Sequence, residues 1–215
     1  MAGPQAVRVS LEAVTPLFLA GAEPRGTPEL RAPAFRGALR YWFRAAAGGA
    51  LGGNTQAVAR AEREVFGAAA GSGSASAVIV RLHLRSSNPA PRAYKTEDFG
   101  SGLNGRNYLY WSMAPMGAPA KQYYLPRTAF ACSLAPRPGV LAAGNRLEQA
   151  AAALWLLVQL GGVGSRSRRL GGSLSASEPV DAAGLAFALQ GASAAEVADE
   201  LRAGLRQVRA IFQRA

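Results

Sequence analysis

Lysine is almost missing from this chain: of 24 basic residues only Lys95 and Lys121 are lysines, and the rest are arginines. Acidic residues are few as well, 13 in 215, which leaves a formal net charge of +11. A surplus of that size makes a polyanion the expected partner class. The single cysteine, Cys132, excludes an internal disulfide and any cysteine-cluster zinc site, and it fits a reducing compartment. The single histidine, His83, has no second histidine, cysteine or carboxylate cluster nearby in sequence, so it reads as a surface or interface residue rather than a general base. Scattered carboxylates argue against a two-metal site, and no cofactor or metal is expected. Long apolar runs are missing too. The longest, Ala150 to Gly164, contains Gln159 and is too short to cross a bilayer. No early apolar run follows basic residues at the N-terminus, so the expectation is a cytoplasmic protein without a signal peptide. What the chain does have is 49% hydrophobic residues, ample for a core.

Val7, Val9 and Leu11 alternate with Arg8, Ser10 and Glu12, the period of a half-buried strand over residues 6–13. A loop rich in proline runs to Pro33, where a helix begins. On that helix Phe35, Leu39, Trp42, Phe43 and Ala46 share one sector, and Arg36, Arg40 and Arg44 form a stripe beside it. Like charges spaced i, i+4 repel, so the stripe suggests either an anion that offsets the repulsion or side chains lying over apolar surface. A short helix over 56–66, a strand over 77–85, a strand over 128–135 and a helix capped by Asn145, with Glu148 three residues on, follow. Leu170 to Ala176 supplies a last strand, and Ser193 with Glu196 opens a final helix whose stripe is Val197, Leu201, Leu205, Val208 and Phe212. The order strand, helix, strand, strand, helix, strand is the split βαβ pattern of an α+β, ferredoxin-like (RRM-like) sheet. The domain is expected to cover residues 1–180, with 181–215 as a C-terminal helical extension.

Two stretches carry candidate chemistry. Gly161 to Ser173, GGVGSRSRRLGGS, joins a glycine-rich turn to Arg166, Arg168 and Arg169. Bare N–H groups in such a turn form an anion-binding concavity, and arginine adds flat bidentate donors for phosphate. The alternative is a glycine helix cap followed by a solvated basic strand edge. The second stretch is a long insertion, 86–127, between the second and third core strands. In it Tyr94, Tyr108, Tyr110, Trp111, Tyr123 and Tyr124 interleave with Arg92, Lys95, Arg106 and Lys121, as in proteins that stack single-stranded bases and neutralise phosphates; a β-arm for protein contacts is the alternative. Asn107 to Met113 is expected to be a strand of this arm, with Gln122 to Leu125 as its hairpin partner. Gly100, Gly102 and Gly105 match G-x-G-x-x-G without a preceding strand or a following helix, so a dinucleotide site is not inferred. Asp98 to Gly100 reads DFG, without any other kinase motif.

Thr15 to Ala45, the E-x-x-V-F-G of Glu62 to Gly67, and Gly161 to Leu174 resemble the RAMP superfamily of CRISPR-associated proteins, and within it the first-subunit family of the Cmr complex, the type III-B RNA-targeting effector. The resemblance implies a ferredoxin-like RAMP domain in a multisubunit ribonucleoprotein. Such a subunit would be a noncatalytic, RNA-binding one that holds guide RNA near its 3′ end and helps capture target RNA for antiviral defence, with guide RNA, target RNA and other Cmr/RAMP subunits as partners. The residues that match the family's motifs are Arg31, Arg36, Arg40, Trp42 and Arg44 on the first helix, and Gly162, Gly164, Arg166, Arg168 and Arg169 in the glycine loop, where Ser165 is a further candidate RNA contact. The insertion would correspond to the arm that RAMP subunits place against RNA, with Lys95, Arg106 and Tyr108 as candidate contacts.

Two departures stand out. The family's glycine-aromatic-glycine after the arginines is Leu170-Gly171-Gly172 here, so the strand entry is expected to differ. The family also usually carries a second ferredoxin-like domain, which leaves open a compact variant or one half of a longer protein. Other functional readings are a RAMP-family endoribonuclease and a protein-binding scaffold. Slicing subunits of the family place an aspartate in the loop after the first strand, where this chain offers only Glu23 and Glu29, so no enzyme activity is expected.

Overall fold

A computed structural model describes residues 6–68, 73–85, 87–95, 97, 105–115, 119–140 and 143–214, leaving aside the side chains of residues 106, 143 and 144. The DFG tripeptide, Gly100, Gly102 and the Arg106 side chain therefore lie outside the described residues.

The alternating first segment is strand β1, Val7–Ala13, with Val9, Leu11 and Ala13 buried. It lies between β5, Ala129–Pro136, and β6, Leu174–Ala176, while β2, Val78–Leu84, pairs with the other edge of β5. The sheet order is β2-β5-β1-β6 and every pairing is antiparallel, as a split βαβ connectivity requires. Strand β6 is shorter than the expected 170–176. Leu170 and Gly172 have φ of 61° and 68°, which breaks extended backbone and leaves residues 170–173 as a turn.

Helices α1, Ala32–Ala50, and α4, Ala143–Leu160, cover one face of the sheet. Phe35 meets Phe130 edge-on at 5.6 Å, which fastens α1 to β5. Helix α4 starts two residues before Asn145, so that residue is inside the helix and not its cap. Residues Ala150 to Val158 are all buried, because the sheet, α1 and the C-terminal helix surround the segment; a helix buried on all sides needs no polar face. Helix α2, Thr55–Phe66, is capped by Asn54, whose side chain accepts from the Ala57 N–H at 3.1 Å.

The insertion holds strands β3, Arg92–Ala93, and β4, Gln122–Tyr123, which pair with each other, and helix α3, Gly105–Tyr110, continued as a 3₁₀ turn over Trp111–Met113. The expected strand over 107–113 is therefore helical, and β4 pairs with β3 instead. Asn107, Tyr110 and Met113 are buried at a spacing of three, a helical period hidden behind residues of high strand propensity. Tyr94, Tyr110, Met113 and Tyr123 form a second small core around Phe18, whose ring lies 5.1 Å from Tyr123 and 5.7 Å from Tyr110.

After β6, strands β7, Asp181–Ala182, and β8, Leu185–Ala186, form a hairpin whose turn residues Ala183 and Gly184 both have positive φ, the geometry of a type I′ turn. Helix α5, Ala194–Gln213, begins with the expected capping pair: the Ser193 hydroxyl accepts from the Glu196 N–H, and the Glu196 carboxylate accepts from the Ala192 N–H. Val208, Ile211 and Phe212 enter the main core, whereas Leu205 of the expected stripe is exposed. Gly204 packs flat against Trp155, where a Cβ would stand 2.1 Å from the indole.

Candidate nucleic-acid interface

The glycine loop is built by backbone stitching to the segment that follows β1. The N–H of Gly172 donates to Pro16 O at 2.9 Å, that of Ser165 to Phe18 O at 2.8 Å, and that of Val163 to Gly172 O at 3.0 Å. Two glycines are required by this arrangement. Gly164 has φ +85° and a Cβ there would lie 2.3 Å from Phe18 O; Gly172 has φ +68° and a Cβ would lie 2.0 Å from Val163 O. The continuous row of free N–H groups expected from the sequence is thus interrupted, since alternate donors hold the loop together. The N–H groups of Gly162 and Gly164 take no part in these bonds.

The three loop arginines divide between two tasks. Arg166, at φ 69°, turns its side chain onto the insertion, donating from Nε to Leu109 O at 2.6 Å and from Nη2 to Tyr108 O at 3.5 Å. The Tyr110 hydroxyl answers with a bond to Leu170 O at 3.1 Å, so loop and arm are clasped from both sides. Burial raises the pKa of that hydroxyl, and the Arg166 guanidinium partly counteracts the shift. Arg168 and Arg169 sit in a single 3₁₀ turn, both exposed, and neither makes an ion pair among the described residues. Ser165 is half-buried, with its hydroxyl 3.5 Å from Lys121 Nζ.

On α1 the arginine stripe is largely engaged by protein. Arg40 donates to Glu62 Oε1 at 3.0 Å and to the carbonyls of Phe66 and Gly67 at 2.9 and 2.5 Å, with its guanidinium 5.9 Å from the centre of the Phe66 ring. Arg44 reaches both oxygens of Glu62 at 3.1 Å. The residues of the E-x-x-V-F-G motif are therefore the acceptors for the helix arginines, which explains the two motifs physically as a clamp between α1 and α2. Arg31 is exposed and lies 3.9 Å from Glu29. Arg36 is half-buried and its Nε has no partner among the described residues. Trp42 is half-buried against Gly161.

Most aromatics of the insertion are inside. Among the described residues of the insertion, Tyr94, Tyr110, Tyr123 and Tyr124 are buried, and the exposed aromatics are Tyr108 and Trp111, at 65% and 51%. Lys95 is exposed, on the same insertion. Arg25 was not singled out by sequence pattern, yet it joins the β1–α1 loop to the arm through Pro119 O at 2.7 Å and Ala114 O at 3.4 Å. No signal in the sequence pairs residues so far apart. Among the described residues there is no group of three or more His, Cys, Asp or Glu placed to hold a metal, and no helix long and apolar enough to cross a membrane. His83 is exposed on β2. Cys132 is fully buried, and burial pushes its thiol up to about 12.

The sequence profile described as the RAMP superfamily matches residues 10–130, from β1 into β5. The chain belongs to the RAMP superfamily. It is 31% identical to the CRISPR system Cmr subunit Cmr1-2 of Pyrococcus furiosus, over 76% of this chain and 91% of that protein. It is 33% identical to subunit Cmr1-1 of the same organism, over 76% of this chain and 45% of that protein. The crystal structure of Cmr1 from Pyrococcus furiosus superposes with a TM-score of 0.73 at 27% identity, covering 96% of this chain and 60% of that one. A subunit of a type III-B Cmr-beta complex bound to cognate target RNA shares the fold, at a TM-score of 0.65 and 14% identity, covering 94% of this chain and 62% of that one. This RAMP chain thus spans well over half, but not all, of its structural relatives. The four-stranded α+β domain expected for the family is the one observed.

Proposed function

We propose that this chain is a noncatalytic RNA-binding subunit of a type III-B CRISPR-Cas (Cmr) effector ribonucleoprotein, contacting guide RNA near its 3′ end and helping to capture target RNA. Relationship to the two Cmr1 subunits supports the assembly. The observation that carries RNA binding is the pair Arg168 and Arg169, exposed and without carboxylate partners among the described residues, on a loop whose backbone is already held rigid by bonds to the β1–α1 segment. A rigid loop presents its guanidiniums without the ordering cost that a floppy one incurs on binding. Lys95 and Tyr108 are exposed on the arm that Arg166 clasps to this loop, and Arg44 is exposed on α1 while held by Glu62. Arg40 and Arg166 act indirectly here, by fixing α2 and the arm. The noncatalytic assignment is supported by the β1–α1 loop, where one of the two carboxylates, Glu29, faces Arg31.

Fluorescence anisotropy of the purified chain with a single-stranded RNA of about 20 nucleotides tests this. Affinity should fall with salt, with a log–log slope of about −0.7 per phosphate neutralised. The strand should also emerge intact after incubation with magnesium or manganese. Absence of binding at low salt, or cleavage of the strand, overturns the reading.

A further inference from the structure

Beside the glycine loop lies a cavity of about 400 Å³ lined by Tyr41, Trp42, Leu160, Gly161, Gly162 and Arg168, among others. Its walls are unusual for a surface depression. Tyr41 and Leu160 are large apolar groups left 53% and 48% exposed, and the Tyr41 ring stands perpendicular to Trp42 at 5.5 Å. The Trp42 indole N–H has no hydrogen bond among the described residues, in contrast to Trp155, which donates to Ala186 O at 2.8 Å. Access to that N–H depends on Gly161, because a Cβ there would lie 2.5 Å from Trp42 Nε1. An aromatic face, an unpaired donor and a guanidinium converge on a space that fits one small planar ligand attached to an anion.

We infer that this cavity takes a single unpaired nucleobase from the bound strand, stacked on Tyr41 and hydrogen-bonded by the Trp42 indole, with its phosphate on Arg168. The inference rests on the RNA-binding reading above and adds a base contact beside the phosphate contacts of the loop. Stacking on an aromatic side chain is tolerant of sequence, so the site holds a base in place without selecting one.

Full-length protein is titrated with a 20-nucleotide single-stranded RNA and with a strand of equal length whose bases are removed and whose ribose-phosphate backbone is kept. Intact RNA should bind at least about 5-fold more tightly than the abasic strand, with the same salt slope. Tyr41→Ala should reduce that advantage and leave the slope unchanged, because no phosphate contact is lost. Trp42→Phe, which keeps the packing but removes the donor, should lose part of it. Equal binding of both strands by the wild type, or a preference that Tyr41→Ala leaves undiminished, overturns the cavity assignment alone. Failure of the wild type to bind either strand overturns both this inference and the function on which it rests.

Discussion

Glu62 is 8% exposed and holds two arginines of α1, so its carboxylate is the only charge that balances the buried end of Arg40 among the described ion pairs. Removing it by Glu62→Ala strands those donors and should lower the free energy of unfolding by about 1–3 kcal/mol, measured by urea denaturation. Arg44→Ala, whose side chain is half exposed, should cost less than 1 kcal/mol by the same measurement. If Arg44→Ala is the more damaging of the two, the clamp has been misassigned. This partnership could not be read from the chain, since Glu62 lies 22 residues from Arg40 and nothing local pairs them. The stripe itself was legible; its main occupant is a protein carboxylate.

The arm and the glycine loop stand or fall together through Arg166 and Tyr110. Arg166→Ala removes the bonds to Leu109 and Tyr108, so limited proteolysis should cut within residues 86–127 faster than in the wild type while the core sheet stays folded. An unchanged cleavage pattern would show that the small core around Phe18 holds the arm alone. The core elements were readable because alternation in β1 and β2 and the apolar run of α4 are strong periodic signals. The arm was not. Its aromatics imitate a strand, and their burial depends on Phe18 and Arg166, which reach the arm from distant parts of the chain. Likewise the loop's glycines were visible, but their main work is close approach to Phe18 O and Val163 O.

Across the described part of the molecule, buried acidic protons bear on the alkaline limit, those of Cys132, Tyr110 and Tyr124 among them. Burial raises the Cys132 thiol to about 12 and raises the Tyr110 and Tyr124 hydroxyls above their usual value. Each is neutral in both states at neutral pH, and each ionises first in the unfolded chain. Stability should therefore be flat from pH 7 to about 8.5 with respect to these groups, then fall as pH rises, initially by at most about 1.4 kcal/mol per unit from Cys132. Cys132→Ala should shift the onset of that fall to about pH 10, where the tyrosines begin to ionise in the unfolded chain; an unshifted onset assigns it to other groups.

The sheet, the clamp and the arm together hold one short turn, Ser167 to Arg169, rigidly at the surface, and RNA binding is assigned to it. The decisive measurement is the salt dependence of RNA binding by Arg168→Ala/Arg169→Ala compared with wild type, with folding verified by circular dichroism. Loss of two phosphate contacts should flatten the log–log slope by about 1.4. An unchanged slope would contradict it, and would move the polyanion site away from the glycine loop.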